Sequence, residues 1–402
     1  MSKKRILSII LACLAFFCMV PVKAQDAAFS QSEKGISLEE MTEKAEKGDT
    51  DAQYFLGTIY LSVVEEGKNQ QKAVYWLQKA ADGGNAEAQL RLGMMYAIGE
   101  KLPKDDQKAV SLVMQSAGQG QPWAQFLLYY GYTELEAERQ NYLRQKQQLD
   151  EDIRYFFDGI LAFASAMRKQ GIMPDTQKAI DWLQKAAEQG LAIAQDVLAT
   201  KYAKGINIER DDKKAAYWLE KVAQQGAPFA QNSLGNRYAE GLGVPKDEKK
   251  AVYWYQKAAD QNEVSAQANL GRVYYYGFGV PKNVEKAAYW YQKAAEQGLA
   301  SAQNDLAIMY ITGDGVPRNY WKAFEWTRKA ARQGYLEAQL NLGLMYANGQ
   351  GTKKNYLYAY VLLNHAAATV ESAREIRDRL ETKITQKEIA KAQAMTIDDV
   401  LK

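Results

Sequence analysis

The dipeptide Ala-Gln recurs at positions 52, 88, 124, 194, 230, 266, 302 and 338, so the intervals read 36, 36, 70, 36, 36, 36 and 36. A chain of 402 residues would ordinarily divide into two or three globular domains, but independent domains do not keep register with one another. A fixed period of this length is that of a stack of identical supersecondary units, each burying its apolar face on the next.

One block gives the unit. Ala230, Leu234 and Tyr238 are four apart, with Gly235 beside Leu234, which is one face of a helix with one small position for close packing. This is helix A. Gly241-Leu242-Gly243-Val244-Pro245 is a turn. Ala251, Trp254 and Ala258 then give the apolar side of a helix B. Asp or Asn precedes helix B in every block, at Asn69, Asp105, Asp175, Asp211, Asp247, Asn283, Asn319 and Asn355, and these side chains accept backbone N–H bonds at an N-cap. Helix B stops at Gly84, Gly120, Gly190, Gly226, Asn262, Gly298 or Gly334, residues that tolerate the left-handed conformation of a C-terminal cap.

The 70-residue interval holds some 34 residues beyond one hairpin. A structureless loop of that length is disfavoured. The pattern predicts an additional degenerate hairpin in or near residues 125–158, with a polar helix near Arg139–Tyr155 and another near Gly159–Lys169. The segment Thr42–Gly48 reads as a lone helix B. Residues after Glu371 read as a charged capping helix, which an open array needs to cover its last apolar face.

The first residues are of another kind. Lys3, Lys4 and Arg5 precede an apolar run from Ile6 to Val20, and Val22-Lys23-Ala24 offers small side chains at −3 and −1. This predicts a signal peptide over 1–24, cleaved after Ala24, and export to the periplasm or beyond. Both cysteines, Cys13 and Cys18, fall inside it, so the mature chain has no thiol for disulfide, nucleophile or metal. Cleavage leaves 47 basic residues against 48 acidic ones, which gives no electrostatic case for nucleic acid. No later run is long enough for a membrane span. The chain thus divides into 1–24, an N-terminal segment 25–48 with a half-repeat helix, repeats 1–2 over 49–120, repeat 3 with the extra hairpin over 121–190, repeats 4–8 over 191–370, and a C-terminal cap over 371–402.

The string Ala-Gln-x-x-Leu-Gly-x-x-Tyr, then Gly-x-Gly-Val-Pro, then Lys-Ala-x-x-Trp-x-x-Lys-Ala-Ala-x-x-Gly resembles the Sel-one-like repeat, which is related to the tetratricopeptide repeat. The resemblance covers roughly residues 37–368. It implies an all-α fold, a right-handed α/α superhelix of about eight or nine 36-residue helix–turn–helix repeats, serving as a scaffold for a protein or peptide partner. It further implies, for a bacterial member with a signal peptide, a place in envelope processes, signalling or host interaction. A cysteine-rich branch of the family closes each hairpin with a disulfide, and some of its members are linked to β-lactam binding; this chain lacks those cysteines.

Counting the Ala of Ala-Gln as position 0, positions 2, 6 and 9 fall opposite the face that meets helix B. In tetratricopeptide geometry that side lines a concave groove. It would carry Tyr54, Leu90, Met94, Phe126 and Tyr130 at one end, Asn232, Asn236, Arg272 and Tyr275 in the middle, and Asn304, Leu340 and Leu344 at the other end. The groove is expected to be apolar at both ends and polar between. Burial against neighbouring A helices is the competing fate of the Leu and Met positions. The polar middle is where an extended partner segment would bind, through Asn amides and a two-point Arg–carboxylate contact.

Nothing in the array singles out a catalytic group. The Trp at 76, 182, 218, 254, 290 and 326 holds one helix-B register and reads as core. The Gly-x-Gly strings at Gly241, Gly277 and Gly313 follow no strand and read as turns. The Lys-Ala pairs read as solvated faces. His365 is the single histidine and takes a place held by Lys257 and Lys293 elsewhere, so neither a His-rich metal site nor Cys–His catalysis fits, and no cofactor is implied. A second class of function, an envelope enzyme or a binder of peptidoglycan or β-lactams, would need a marked carboxylate pair, and no position stands out as one.

Overall fold

The start and stop signals of helix B account for most of the architecture. In the computed structural model, which describes residues 37–62, 68–99, 102–149 and 151–401, Asp105, Asp175, Asp211, Asp247, Asn283, Asn319 and Asn355 are extended N-caps. The side chain of each accepts the N–H three residues on, at 2.8–3.1 Å. Asn69 differs, because its helix begins at Lys68 and so includes it. Gly84, Gly120, Gly190, Gly226, Asn262, Gly298 and Gly334 all take positive φ. The signal segment 1–24 lies outside the described residues.

The chain falls into two compact units, Met1–Gln225 and Gly226–Lys402. In the first, α1 (Leu38–Glu46) precedes α2 (Thr50–Ser62), α3 (Lys68–Asp82), α4 (Ala86–Ile98), α5 (Asp106–Gly118), α6 (Pro122–Tyr132), α7 (Glu136–Gln145), α8 (Glu151–Lys169), α9 (Thr176–Glu188), α10 (Ala192–Lys204) and α11 (Asp212–Gln224). In the second, A and B helices alternate through α12 (Pro228–Glu240), α13 (Glu248–Ala259), α14 (Val264–Tyr276), α15 (Val284–Glu296), α16 (Ala300–Thr312), α17 (Tyr320–Arg332), α18 (Leu336–Asn348) and α19 (Tyr356–Ala366). The charged C-terminal region is not one helix: it breaks into α20 (Glu371–Glu381), α21 (Gln386–Gln393) and α22 (Ile397–Leu401), because Thr385 and Glu388 form a capping box that starts a new helix. Among the described residues there is no strand, and the architecture is all-α, an α/α solenoid of paired helices.

The extra residues do not make a further hairpin in series. From the second repeat on, each hairpin carries a bond from the N–H of the helix-B cap to the C=O of a Tyr near the end of helix A, as in Asp105–Tyr96, Asp247–Tyr238 and Asn319–Tyr310. In repeat 3 the same bond joins Asp175 to Tyr132 at 2.9 Å. Thus α6 pairs with α9, and α7 with α8 is an insertion between the two helices of one repeat. The reason is that α8 is amphipathic in its own right, with Phe163, Ala166 and Met167 fully buried, and so needs a face to cover. It covers α4, α5 and α6.

Two recurring polar contacts explain motif residues that the apolar pattern does not. The Gln of Ala-Gln is buried, and its amide donates to the carbonyl of the residue eight earlier, near the end of the preceding helix B: Gln89 to Ala81, Gln195 to Ala187, Gln303 to Ala295. Its Oε1 accepts from a Gln 30 residues on, as Gln195 does from Gln225, Gln267 from Gln297 and Gln303 from Gln333, at 2.8–2.9 Å. A buried carbonyl left without such a donor costs about 1–3 kcal/mol. In the last block Nδ1 of His365 lies 2.7 Å from Gln339 Oε1, so this exposed histidine closes the ladder. The first Lys of the Lys-Ala pairs is not merely solvated. Lys108, Lys250, Lys286 and Lys322 hold their ammonium groups 5.1–5.3 Å from the ring centroids of Tyr96, Tyr238, Tyr274 and Tyr310, a contact worth about 0.5–1 kcal/mol where exposed. Trp76, Trp218 and Trp254 are buried as expected of core, and Trp182, Trp290 and Trp326 are half-buried.

Candidate functional site

In the first unit, positions 2 and 6 of the A helices do not form an open groove. Leu90, Met94 and Phe126 are buried, and Tyr54 and Tyr130 are half-buried. Helix α8 lies over this face: Phe156 and Ile160 line a small apolar cleft with Met94, Trp123, Phe126, Leu127 and Tyr130. The Met94 side chain packs directly on Gly159, where a Cβ would stand 2.7 Å from Met94 Cε. Apolar side chains at these positions are therefore covered by a segment of the same chain rather than left for a partner.

In the second unit the same face is polar around α12–α16, and in the hairpins α12–α13 and α14–α15 a helix-B side chain reaches it. Helix B carries Leu77, Leu183 and Leu219 after its Trp in earlier blocks, but Tyr255 and Tyr291 here. Each ring passes beside a glycine of helix A. A Cβ on Gly235 would stand 2.6 Å from Tyr255 Cδ1, and one on Gly271 2.7 Å from Tyr291 Cδ1. Only glycine leaves that path open. Through it the Tyr255 hydroxyl donates to Asn236 Oδ1 at 2.8 Å, while the Tyr291 hydroxyl meets Asp305.

Around these hydroxyls the A helices are joined by amides. Asn269 Nδ2 donates to Asn232 Oδ1 at 2.9 Å and to Asn236 Oδ1 at 3.2 Å. Asn341 Nδ2 donates to Asn304 Oδ1 at 2.9 Å, and Asn304 is buried. Arg272 is exposed and donates to Asn269 Oδ1 at 3.3 Å. Burial pushes the Tyr255 hydroxyl up to about 12 and the Tyr291 hydroxyl further, so both stay protonated as donors. Burial also raises the Asp305 carboxyl to about 6, against the opposing pull of Tyr291 and Arg272.

Of the residues named from spacing, Asn232, Asn236 and Arg272 thus belong to one connected network. Asn304 joins Asn341 within the same row. Tyr275 turns to the neighbouring repeat's loop, donating to Asp314 Oδ2 at 2.9 Å. Leu340 and Leu344 are half-buried. Spacing missed Tyr255, Asn269, Tyr291, Asp305 and Asn341. The signal for two of them was present: Tyr replaces Leu only where helix A has Gly opposite. Among the described residues no group of three His, Cys, Asp or Glu side chains converges in the manner of a metal site, and no helix is long and apolar enough to cross a membrane.

Comparison with known proteins agrees with the repeat geometry. Residues 50–85, 86–120, 164–191, 192–226, 228–263, 264–299, 300–335 and 336–368 match the Sel1 repeat; α6, α7 and most of α8 fall outside the matched segments, and the third match joins the end of α8 to α9. A similar solved structure is that of a Sel1 repeat protein from Oxalobacter formigenes, 30% identical over 86% of this chain and 90% of that one, with a TM-score of 0.53. A protective antigen present in uropathogenic Escherichia coli strains, displaying an SLR fold, is 28% identical over 89% of this chain and 93% of its own, with a TM-score of 0.29. No curated protein matches the chain. The helix pairs, their caps and the eight matched segments lead to one conclusion: the chain belongs to the Sel1 repeat family.

Proposed function

We propose that this protein is an exported, non-enzymatic scaffold that holds a protein partner on the A-helix face of residues 226–402. Proteins built of Sel1 repeats generally mediate protein–protein interaction. The observation that carries the reading is the contrast between the two faces. One is apolar and covered by α8; the other offers Asn232, Asn236, Arg272 and the hydroxyl-lined row between α12 and α18. Such a row suits recognition of a polypeptide, because amides and a guanidinium can satisfy backbone and carboxylate groups that a partner must strip of water on binding.

The test is to compare the wild-type chain with the triple variant Asn232→Ala, Asn236→Ala, Arg272→Ala in affinity capture from the envelope fraction. Partner capture is expected to disappear while the helical circular dichroism stays that of wild type, since Arg272 is exposed and both Asn are only half-buried. Undiminished capture by the triple variant removes this face from the account.

Export rests on the first 24 residues. The n-region Lys3-Lys4-Arg5, the apolar run and the small residues before Gln25 are the features that a signal peptidase reads. N-terminal sequencing of the protein recovered outside the cytoplasm is expected to begin Gln25-Asp26-Ala27. A chain that still begins at Met1 would argue against cleavage.

A further inference from the structure

The amide row of the second unit is interrupted at one place. In α14 and α18 the residue at position 3 is Asn269 or Asn341, and each donates to the Asn at position 2 of the preceding A helix, Asn232 or Asn304, at 2.9 Å. In α16 position 3 is Asp305, and position 2 of the preceding helix is Ala268. A carboxylate has no proton to donate and alanine has no oxygen to receive one. The half-buried Asp305 carboxyl therefore turns to the Tyr291 hydroxyl instead, under the field of Arg272.

Beside this gap stand groups that suit a ligand. Arg272 is exposed; its partners in the fold are Asn269 Oδ1 and the Tyr255 hydroxyl, which do not exhaust the five donors of a guanidinium. One turn further along α14, Tyr276 is 60% exposed and stacks on Phe278, 45% exposed, with centroids 5.4 Å apart and planes at 21°. Two exposed rings in face-to-face contact form an apolar platform next to a charged pair that does not close on itself as a salt bridge.

We propose that this interruption anchors an extended segment of a polypeptide partner through its backbone. A backbone N–H of the segment donates to Asp305, a carbonyl of the same segment accepts from Arg272, and a neighbouring apolar side chain lies on the Tyr276–Phe278 pair. A donor and an acceptor of opposite charge, side by side, match the N–H and C=O that every extended backbone presents. The pair carries no net charge, so it favours a ligand that presents a donor and an acceptor together over a lone cation or anion. The proposal rests on the reading of this face as the partner surface and adds which residues hold the partner and by which atoms.

It carries a pH signature. The groups acting on Asp305 are Tyr291 from α15, Arg272 from α14 and, just before α18, Tyr335. Both tyrosines are pushed above their ordinary value and stay neutral, and arginine stays charged. Asp305 accepts best as a carboxylate, so affinity falls as pH drops through about 6.

The experiment uses peptides selected from a random phage-displayed library on the whole chain, restricted to sequences without Asp, Glu or His so that only the protein titrates. Affinity is measured by calorimetry one pH unit above and one below about 6. The expected result is binding about tenfold weaker at the lower pH, the ratio of ionised fractions. Asp305→Asn, which keeps an uncharged acceptor, should flatten the profile, and Asp305→Ala should lose most of the affinity. N-methylation of the critical peptide amide should weaken binding to wild type but not further weaken binding to Asp305→Ala. Peptides that bind equally at both pH values and equally to Asp305→Ala overturn the anchor while leaving the face as the partner surface. Peptides whose binding survives Asn232→Ala, Asn236→Ala, Arg272→Ala, or a library that yields no binder, overturn the reading on which the anchor rests.

Discussion

Gly315→Ala is expected to lower the melting midpoint far more than Gly298→Ala, although both glycines have positive φ, +68° and +92°. At Gly298 an added Cβ meets nothing within 4 Å, so the cost is that of a left-handed alanine, about 1–2 kcal/mol. At Gly315 the Cβ would stand 2.1 Å from the carbonyl oxygen of Val284 and 2.4 Å from its carbon. Those atoms are backbone at the start of helix B in the preceding repeat and cannot swing aside. Overpacking adds about 1–3 kcal/mol, for roughly 2–5 kcal/mol in all. At Gly279, Gly315 and Gly351 the second glycine of the Gly-x-Gly string thus serves contact between successive repeats as well as the turn. Thermal melts followed by circular dichroism decide it. Midpoints are the quantity to compare, since a repeat array can unfold in parts and has no single two-state free energy. If Gly315→Ala melts no lower than Gly298→Ala, the inter-repeat contact has been misread.

The second large effect concerns α8. Phe163 and Met167 are fully buried, against Gly131 of α6, where a Cβ would approach Phe163 Cε1 to 3.2 Å. Phe163→Ala is expected to cost about 3–5 kcal/mol, the range for truncating a buried phenylalanine. Because stability in a stacked array is a sum of neighbouring contacts, the loss should be local. Hydrogen exchange should accelerate over residues 86–132, which α8 covers, and remain unchanged over 300–348. Exchange that accelerates nowhere, or equally in both segments, would show that the insertion is not the cover of that face.

Helix identity was legible because it depends on local chemistry. Asp247 caps a helix wherever its backbone is extended and a free N–H lies three residues on, and Asn262 can end one because it tolerates φ of 63°. The apolar register of Ala230, Leu234, Tyr238, Ala251 and Trp254 likewise gave the buried faces, and all five are buried. The candidate site was legible only in part. Asn232, Asn236 and Arg272 could be assigned to one face from a count of 100° per residue, but Tyr255, Tyr291 and Asp305 lie on other elements or other positions. The two tyrosines join that face because Gly235 and Gly271 let their rings through, and Asp305 joins it by meeting Tyr291.

The sequence by itself determined the two-helix unit, its period, its caps and its family resemblance, since each follows from residues near one another in the chain. Only the tertiary structure decided where the 34 extra residues go and which face they close. A bond from Asp175 to Tyr132 and the burial of Met94 and Phe126 beneath α8 depend on which distant apolar surfaces meet. The period repeats what each module is; it does not say which stretch of the A-helix face an inserted amphipathic helix will cover.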